Sequence, residues 1–506
     1  TFFQSVSADL EPLDLSLVPA ALNVCPDLFI TEPFQVERKL SAINSHKSNG
    51  PDELPNWVLC NFSRWLAEPI CAIYNASLRQ GEVPAAWKCA NVVPVPKVKA
   101  PTAIQTDLRP ISLTPTLSKI LESFIGNWIL DEMREKIDSK QFGALKGRST
   151  THELVDILHH WLRALDNHES VRIVFFDYAK AYDHVDHTVL IETMQKLGIS
   201  STLLRWVCSF LYNRKQRVKI SDIVSSWLSL NGSMPQGSFL GPLTFLILIN
   251  DLNVSCLMHK FVDDTTISEI IACNKISRIN DYVNEVVNWS RDNLMNINYL
   301  KTKEMVIGAA TKYCLSQLSI DNNLIQRVQV FKLLGVLIDD KLNWKCHVNA
   351  MCSKAASKLY FLKMLKRSGV LESDLLYFYV AVIRSVLEYA CPAWHNSLNV
   401  EQISRIEAIQ KRAIAIIYGK VNYMEKCSKL DLPMLYDRRD LLCRSFFESV
   451  LNKNSCLHYL LPNIRDRDII DKLRYTVLYD ATKSRTVKYK QSFINFALEH
   501  YQSILI

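Results

Sequence analysis

The chain has 506 residues, 48% hydrophobic and 22% charged, with a mean hydropathy near zero; these values describe a globular chain of two to four domains with sizeable cores. A formal net charge of +8 is compatible with a polyanionic partner without requiring one. Fourteen cysteines are scattered without a Cys-x-x-Cys pair, and Cys346-His347 with Cys352 lacks zinc-site spacing, which argues against a disulfide framework or zinc knuckle and favours free thiols in a reducing compartment.

In chain order, an irregular segment rich in Pro and Leu gives way to helical patterning from about Thr31 to Leu78. Thr31-Glu-Pro-Phe34 suits a helix start, Asn49-Gly-Pro-Asp52 a turn, and Pro55 the first turn of the next helix. From Val92 the texture changes to short strand-like runs with Pro. Val171 to Asp177 reads as a buried strand ending in a carboxylate. Between Asp281 and Leu294, Val283, Val286, Val287 and Leu294 share one predicted helical face before the strand-like Met305-Val-Ile307. Beyond Asn343 the pattern is almost wholly helical, with Lys354, Lys358, Lys363, Lys366 and Arg367 among apolar positions. The longest apolar runs, Phe245 to Ile249 and Leu375 to Ile383, read as core segments too short to span a membrane. No internal repeat is evident, and no basic-then-apolar leader follows Thr1, so an internal or gene-predicted piece is expected rather than a secreted precursor.

Phe261-Val-Asp-Asp264 carries the most chemistry. Two adjacent carboxylates among apolar residues are costly without a cationic partner. The flanking His259-Lys260-Phe261-Val262 and Thr265-Thr266-Ile267-Ser268 read as two short strands, which would put the pair at a hairpin tip facing the end of the Asp177 strand. Three carboxylates from two segments suit a pair of Mg²⁺ ions, hard cations that keep waters and substrate phosphates in their shell. Such a pair can activate an attacking hydroxyl and stabilise a leaving oxygen; Mn²⁺ is accepted by the same donors. A second constellation, Ser233 to Leu252, places a Pro-Gln-Gly turn before a buried helix. Gly237 would let backbone approach a ligand, and exposed amides at the helix start would favour an anionic one; an ordinary capped core helix is the alternative.

Together these residues resemble the reverse transcriptase of a non-long-terminal-repeat (LINE-type) retrotransposon, with matches in order along most of the chain. Asn49-Gly-Pro-Asp52 resembles the family's extra N-terminal motif. Pro94-Val-Pro-Lys97, Arg109-Pro-Ile-Ser-Leu113 and Ser118-Lys-Ile120 resemble its fingers motif, and Gln141-Phe-Gly143 with Gly147-Arg-Ser-Thr150 the next. Phe176-Asp-Tyr-Ala-Lys-Ala-Tyr-Asp183, Pro235-Gln-Gly-Ser238 with Leu240-Gly-Pro242, and Phe261-Val-Asp-Asp264 are similar to the palm motifs that carry catalysis. Leu300-Lys-Thr302 and Leu334-Gly-Val336 resemble later palm motifs. Leu387-Glu-Tyr-Ala390, Trp394 and Ile406 to Arg412 resemble the helical region after the palm, and Ser492-Phe-Ile494 the terminal segment, although His500-Tyr-Gln502 does not match its usual Trp-Asn.

The resemblance implies an α+β right-hand polymerase, its fingers and palm followed by an all-helical thumb and C-terminal extension. The expected regions are residues 1–77, 78–338 and 339–506. It implies an RNA-directed DNA polymerase that uses an RNA template, a DNA primer and deoxynucleoside triphosphates, without a membrane, inside the cell in cytoplasm and nucleus. Asp177, Asp263 and Asp264 would hold two Mg²⁺ ions. Tyr182 would exclude a 2′-hydroxyl, Lys97 and Arg109 would grip the triphosphate, and Tyr178, Gln236 and Gly237 would line the nucleotide site. Lys301 would protonate the pyrophosphate leaving group. Basic residues beyond Asn343 would track hybrid phosphates, a solvated helix face being the alternative.

Three departures bear on fidelity and processivity rather than reaction class: Val262 where alanine is usual, Leu108 where an aromatic is frequent, and Phe239 where a β-branched aliphatic is common. The family commonly carries an upstream endonuclease, and no C-terminal zinc-knuckle nuclease is visible. This chain alone is therefore expected to polymerise without nicking a genomic target. The alternatives are a maturase-like or RNA-synthesising polymerase, against which Tyr182 and Asn49 to Asp52 argue, and a catalytically decayed or domesticated nucleic-acid-binding scaffold.

Overall fold

The computed structural model describes residues 10–20, 29–312, 315–465 and 478–502. Three N-terminal helices, Pro33–Ser41, Asn56–Asn61 and Ser63–Gln80, come first. Pro33 occupies the first turn of its helix, and Glu32 with Gln35 forms a reciprocal capping box there. Pro55 sits at the cap of the second helix, one position earlier than expected.

Two sheets position the chemistry. In the first, Leu108–Leu113 pairs antiparallel with Cys89–Pro96, which also runs parallel to Lys215–Ile220. In the second, Ser170–Phe176 lies at the centre, antiparallel to Asp264–Ile271 on one side and to Lys303–Ile307 on the other. All seven residues of this central strand are buried, which fits its apolar composition apart from Ser170 and Arg172. Arg172 is accommodated by the buried Glu304 of the neighbouring strand, 2.5 Å away. Leu257–Phe261 forms the edge hairpin with Asp264–Ile271, and the Phe261–Asp264 pair leaves Val262 and Asp263 as a two-residue turn.

The helix Leu240–Leu248 is buried at all its positions except Pro242. Helix Ile279–Asp292 buries Val283, Val286 and Val287 as its periodicity predicts. Leu294 corrects that pattern: it lies past the helix end at φ 55°, 51% exposed.

Two hydrophobic cores flank the second sheet. One joins the N-terminal helices, Leu240–Leu248 and one face of the sheet. The other joins the opposite strand positions Val171, Ile173 and Phe175 with helix Thr150–Asp166 and the helices after Leu342. The alternation of residues 171–176 between cores is the period-2 signature of a strand buried on both faces. Among the later helices, the run Glu372–Ala393 is long and apolar enough to cross a membrane by length and composition, correcting the expectation that no run reaches that length. Its Leu375, Tyr379, Ile383 and Leu387 are fully buried in the second core, and a π-helical stretch, Tyr379–Arg384, interrupts it.

Candidate active site

Strand pairing brings the three aspartates together. Phe176 pairs with Thr265, so the carboxylate ending the central strand and the two at the hairpin tip emerge at the same sheet edge. Asp177 is fixed by its backbone: its carbonyl accepts from Asn298 N at 2.7 Å and its amide donates to Thr302 Oγ1 at 3.4 Å.

The hairpin tip is strained and braced. Val262 is β-branched yet has φ 58°, a conformation such side chains rarely adopt. Gln141 holds it there, its Oε1 accepting from Val262 N at 3.1 Å and from Gly143 N at 2.8 Å. Backbone bonds from Phe142 N to Lys260 O and from Lys260 N to Lys140 O extend the brace along the hairpin edge. A Cβ on Gly143 would stand 2.5 Å from Val262 Cγ2 and 2.6 Å from Val262 N, so glycine is required by the close approach of the tip.

The carboxylates repel one another. Asp264 reaches solvent, yet burial among surrounding protein and the charges of Asp263 and Asp177 raise its pKa to about 6. Burial also raises Asp263, with Asp177 adding to the effect and Lys301 and Arg109 opposing it. Asp177 Oδ2 is buried and accepts no hydrogen bond, while Lys301 Nζ lies 3.4 Å from it. Among the described residues no three acidic, imidazole or thiol groups converge tightly enough to form a metal cluster. The aspartates are thus electrostatic neighbours rather than a closed coordination shell. Their all-oxygen donors, their mutual repulsion and an Asp177 Oδ2 that accepts no hydrogen bond and meets only the exposed Lys301 ammonium at ion-pair distance fit hard divalent cations.

Cations face this edge. Arg109 stands on strand Leu108–Leu113 and Lys97 one residue past its partner strand Cys89–Pro96; both are exposed and share one field with Lys301 and Lys180, and desolvation, then these like charges, lower Lys97. Tyr182 is half-buried, its ring centroid 5.4 Å from that of Phe245. Burial and the charge of Asp263 push its hydroxyl up to about 12. Gln236 is anchored from both ends, its carbonyl accepting from Ser112 N at 2.7 Å and its side-chain Nε2 donating to Asp183 Oδ1 at 3.1 Å.

Gly237 is exposed at φ 129°, and protein packing alone already requires glycine there, because a Cβ would meet the Ser112 carbonyl at 2.6 Å. Two sequence expectations are corrected. The amides at the start of the buried helix are already occupied, because the carboxylate of Glu122 accepts from Phe239 N at 2.8 Å and Leu240 N at 3.4 Å. Tyr178 is only 5% exposed and packs in the first core, so its ring offers no surface to a nucleotide.

Sequence reasoning assigned no role to Gln141, Asp183 or Glu122. Gln141 and Asp183 lie inside the motifs quoted above, so motif membership was an available signal. Glu122 had only its place in an apolar helix.

Residues 95–338 match the family model described as reverse transcriptase (RNA-dependent DNA polymerase). The chain is 26% identical over 406 residues to a probable RNA-directed DNA polymerase from transposon BS of Drosophila melanogaster, covering 76% of this chain and 45% of that protein. It is 25% identical to a probable RNA-directed DNA polymerase from transposon X-element of the same species, covering 86% and 48%. It is likewise 25% identical to the RNA-directed DNA polymerase from mobile element jockey of that species, covering 83% and 49%. The chain thus spans about half the length of the curated relatives it matches.

Proposed function

We propose, for a chain whose centre is a reverse transcriptase domain of the non-LTR, LINE-type kind, that it extends a DNA primer along an RNA template with deoxynucleoside triphosphates. The observation carrying this reading is the convergence of Asp177, Asp263 and Asp264 at one sheet edge, faced by Lys97, Arg109 and Lys301.

Asp177, Asp263 and Asp264 would hold two divalent ions, Mg²⁺ or Mn²⁺. When bound, such ions favour ionisation of the primer 3′-hydroxyl and neutralise charge on the leaving phosphates. Arg109 and Lys97 bind and orient the triphosphate, Arg109 with the bidentate fork that suits phosphate. Lys301, paired with Asp177 before substrate arrives, turns to the leaving pyrophosphate and supplies its proton. Tyr182 excludes the ribose 2′-hydroxyl, and Asp183 holds Gln236 against the nucleotide. Exposed Lys354, Lys363 and Arg367 on helix Lys345–Arg367 track backbone phosphates, beside exposed Tyr360 and Phe361. Lys358 and Lys366 are engaged internally, with Val382 O at 3.0 Å and Glu372 at 3.3 Å. The reading extends to action inside the cell, in cytoplasm and nucleus, which the free thiols among the described residues suit.

Primer extension on an RNA template with Mg²⁺ tests it. DNA synthesis with deoxynucleotides and little product with ribonucleotides is expected. A folded chain that binds primer and template yet adds no nucleotide would overturn the reading in favour of a nucleic-acid-binding scaffold.

A further inference from the structure

A polar cluster, buried at Asp156 and His259 and open to solvent at Tyr459, which is 53% exposed, joins the C-terminal region to the hairpin that carries Asp263 and Asp264. At its centre is Asp156 of helix Thr150–Asp166, fully buried. Its Oδ2 accepts from Lys140 Nζ at 2.7 Å and from His259 Nε2 at 3.1 Å. Its Oδ1 accepts from the hydroxyl of Tyr459, with His160 Nε2 at 3.4 Å. The same hydroxyl contacts Lys140 Nζ and lies 3.1 Å from His160 Nε2. Lys140 Nζ also sits over the Tyr459 ring, 4.5 Å from its centroid.

Both routes out of this cluster lead to the tip that carries Asp263 and Asp264. His259 lies on the hairpin strand four residues before Asp263. Lys140 adjoins Gln141, whose side chain holds Val262 N. A buried carboxylate is stable only when its lone pairs are answered. Burial alone would raise Asp156, but the hydrogen bonds from His160 and His259 and the charges of His259 and Lys140 hold it well below the usual carboxylate range. Removing the Tyr459 hydroxyl leaves Oδ1 with His160 alone, and reorienting the carboxylate to compensate would loosen His259 or Lys140.

We propose that Tyr459 is a positioning residue for polymerisation, acting through Asp156 on His259 and Lys140 and thereby on the hairpin tip. The kinetic half of this inference rests on the polymerase reading; the structural half rests on the contacts alone. A second hold of the C-terminal region provides the control: Asp166 accepts from Arg485 N at 3.0 Å and Thr486 N at 2.6 Å, at the far end of the same helix.

Hydrogen exchange and primer-extension kinetics on Tyr459→Phe test the proposal together. Amides of residues 257–266 should exchange about tenfold faster than in the parent. The turnover number should fall roughly fivefold, with KM for the nucleotide and affinity for primer and template unchanged. Combining Tyr459→Phe with Asp156→Asn should slow turnover no further than Asp156→Asn alone. Parent-like exchange and turnover in Tyr459→Phe would overturn the proposal. So would equal loosening of the hairpin by Asp166→Asn, which would mean that it senses general undocking. If the parent makes no DNA, the polymerase reading fails, and the exchange experiment still decides the role of Tyr459.

Discussion

The residue that binds the site together most economically is Gln141, whose single carbonyl oxygen serves two backbone amides at the hairpin tip. Gln141→Leu removes that acceptor from a fully buried position. It should cost about 1–3 kcal/mol, read by denaturant unfolding, and should lower turnover more than nucleotide affinity, because the strained Val262 turn loses its anchor. Gly143→Ala should act similarly through the contact with Val262. At Tyr182 the expected effect is on choice of sugar: Tyr182→Val should raise ribonucleotide use relative to deoxynucleotide by about tenfold or more, measured as the ratio of kcat/KM values. Unchanged discrimination would place the sugar filter elsewhere. The aspartates and their cationic partners were legible because their types and motif spacing carry the chemistry. Roles set by distant partners were not: Val262 lies 121 positions beyond Gln141, and Phe239 lies 117 beyond Glu122.

The helix Leu240–Leu248 shows how an element is held in place by charge. Glu122, itself fully buried, accepts from amides at its start. Lys260, equally buried, donates to Ile249 O at 2.9 Å and Leu252 O at 2.8 Å just beyond its end, and pairs with Asp138 at 2.7 Å. Each charge has the sign that complements its end of the helix dipole. Lys260 also stands one residue before Phe261, so the helix that follows the Gln236 turn and the hairpin share one anchor. Glu122→Ala should therefore destabilise the fold by about 2–3 kcal/mol, read in urea, with Glu122→Gln losing less because one acceptor remains. A fully apolar helix reads from sequence simply as core, and the charged anchors that orient it come from other elements. Likewise the strands at 171–177, 259–262 and 265–268 were legible as short strand-like runs, whereas the turn at Val262, which the sequence put inside a strand, and the helix end near Leu294 were not, because in each a left-handed residue breaks the element without Gly or Pro.

Across the whole molecule, the two cores meet through the central strand, and the C-terminal helices share their core with the back of the sheet that carries the three aspartates. Each core is flanked by a neutral histidine: burial lowers to about 4 both His187, on the helix that gives Leu190 and Ile191 to the first core, and His347, on the helix that gives Val348 and Met351 to the second. Unfolded histidine takes up a proton near pH 6.5, so between about 6.5 and 4 the unfolded chain binds more protons. The stability these residues preserve is full above that window and is lost as pH falls through it, by up to about 3 kcal/mol each. Melting temperatures at pH 7.5 and 5.0 should show the loss, and His187→Gln should reduce it. Nucleic-acid binding should weaken with salt, and Lys354→Gln with Lys363→Gln should lower the slope of log affinity against log salt by roughly 2. Three aspartates at one sheet edge are proposed here as a metal-dependent polymerase site. Single-nucleotide addition to a primer on an RNA template, comparing the parent with an equally folded Asp263→Asn variant across a Mg²⁺ titration, tests it most directly. Mg²⁺-dependent addition by the parent is expected, with loss by about 10³-fold or more in the variant; addition that survives Asp263→Asn would rule such a site out.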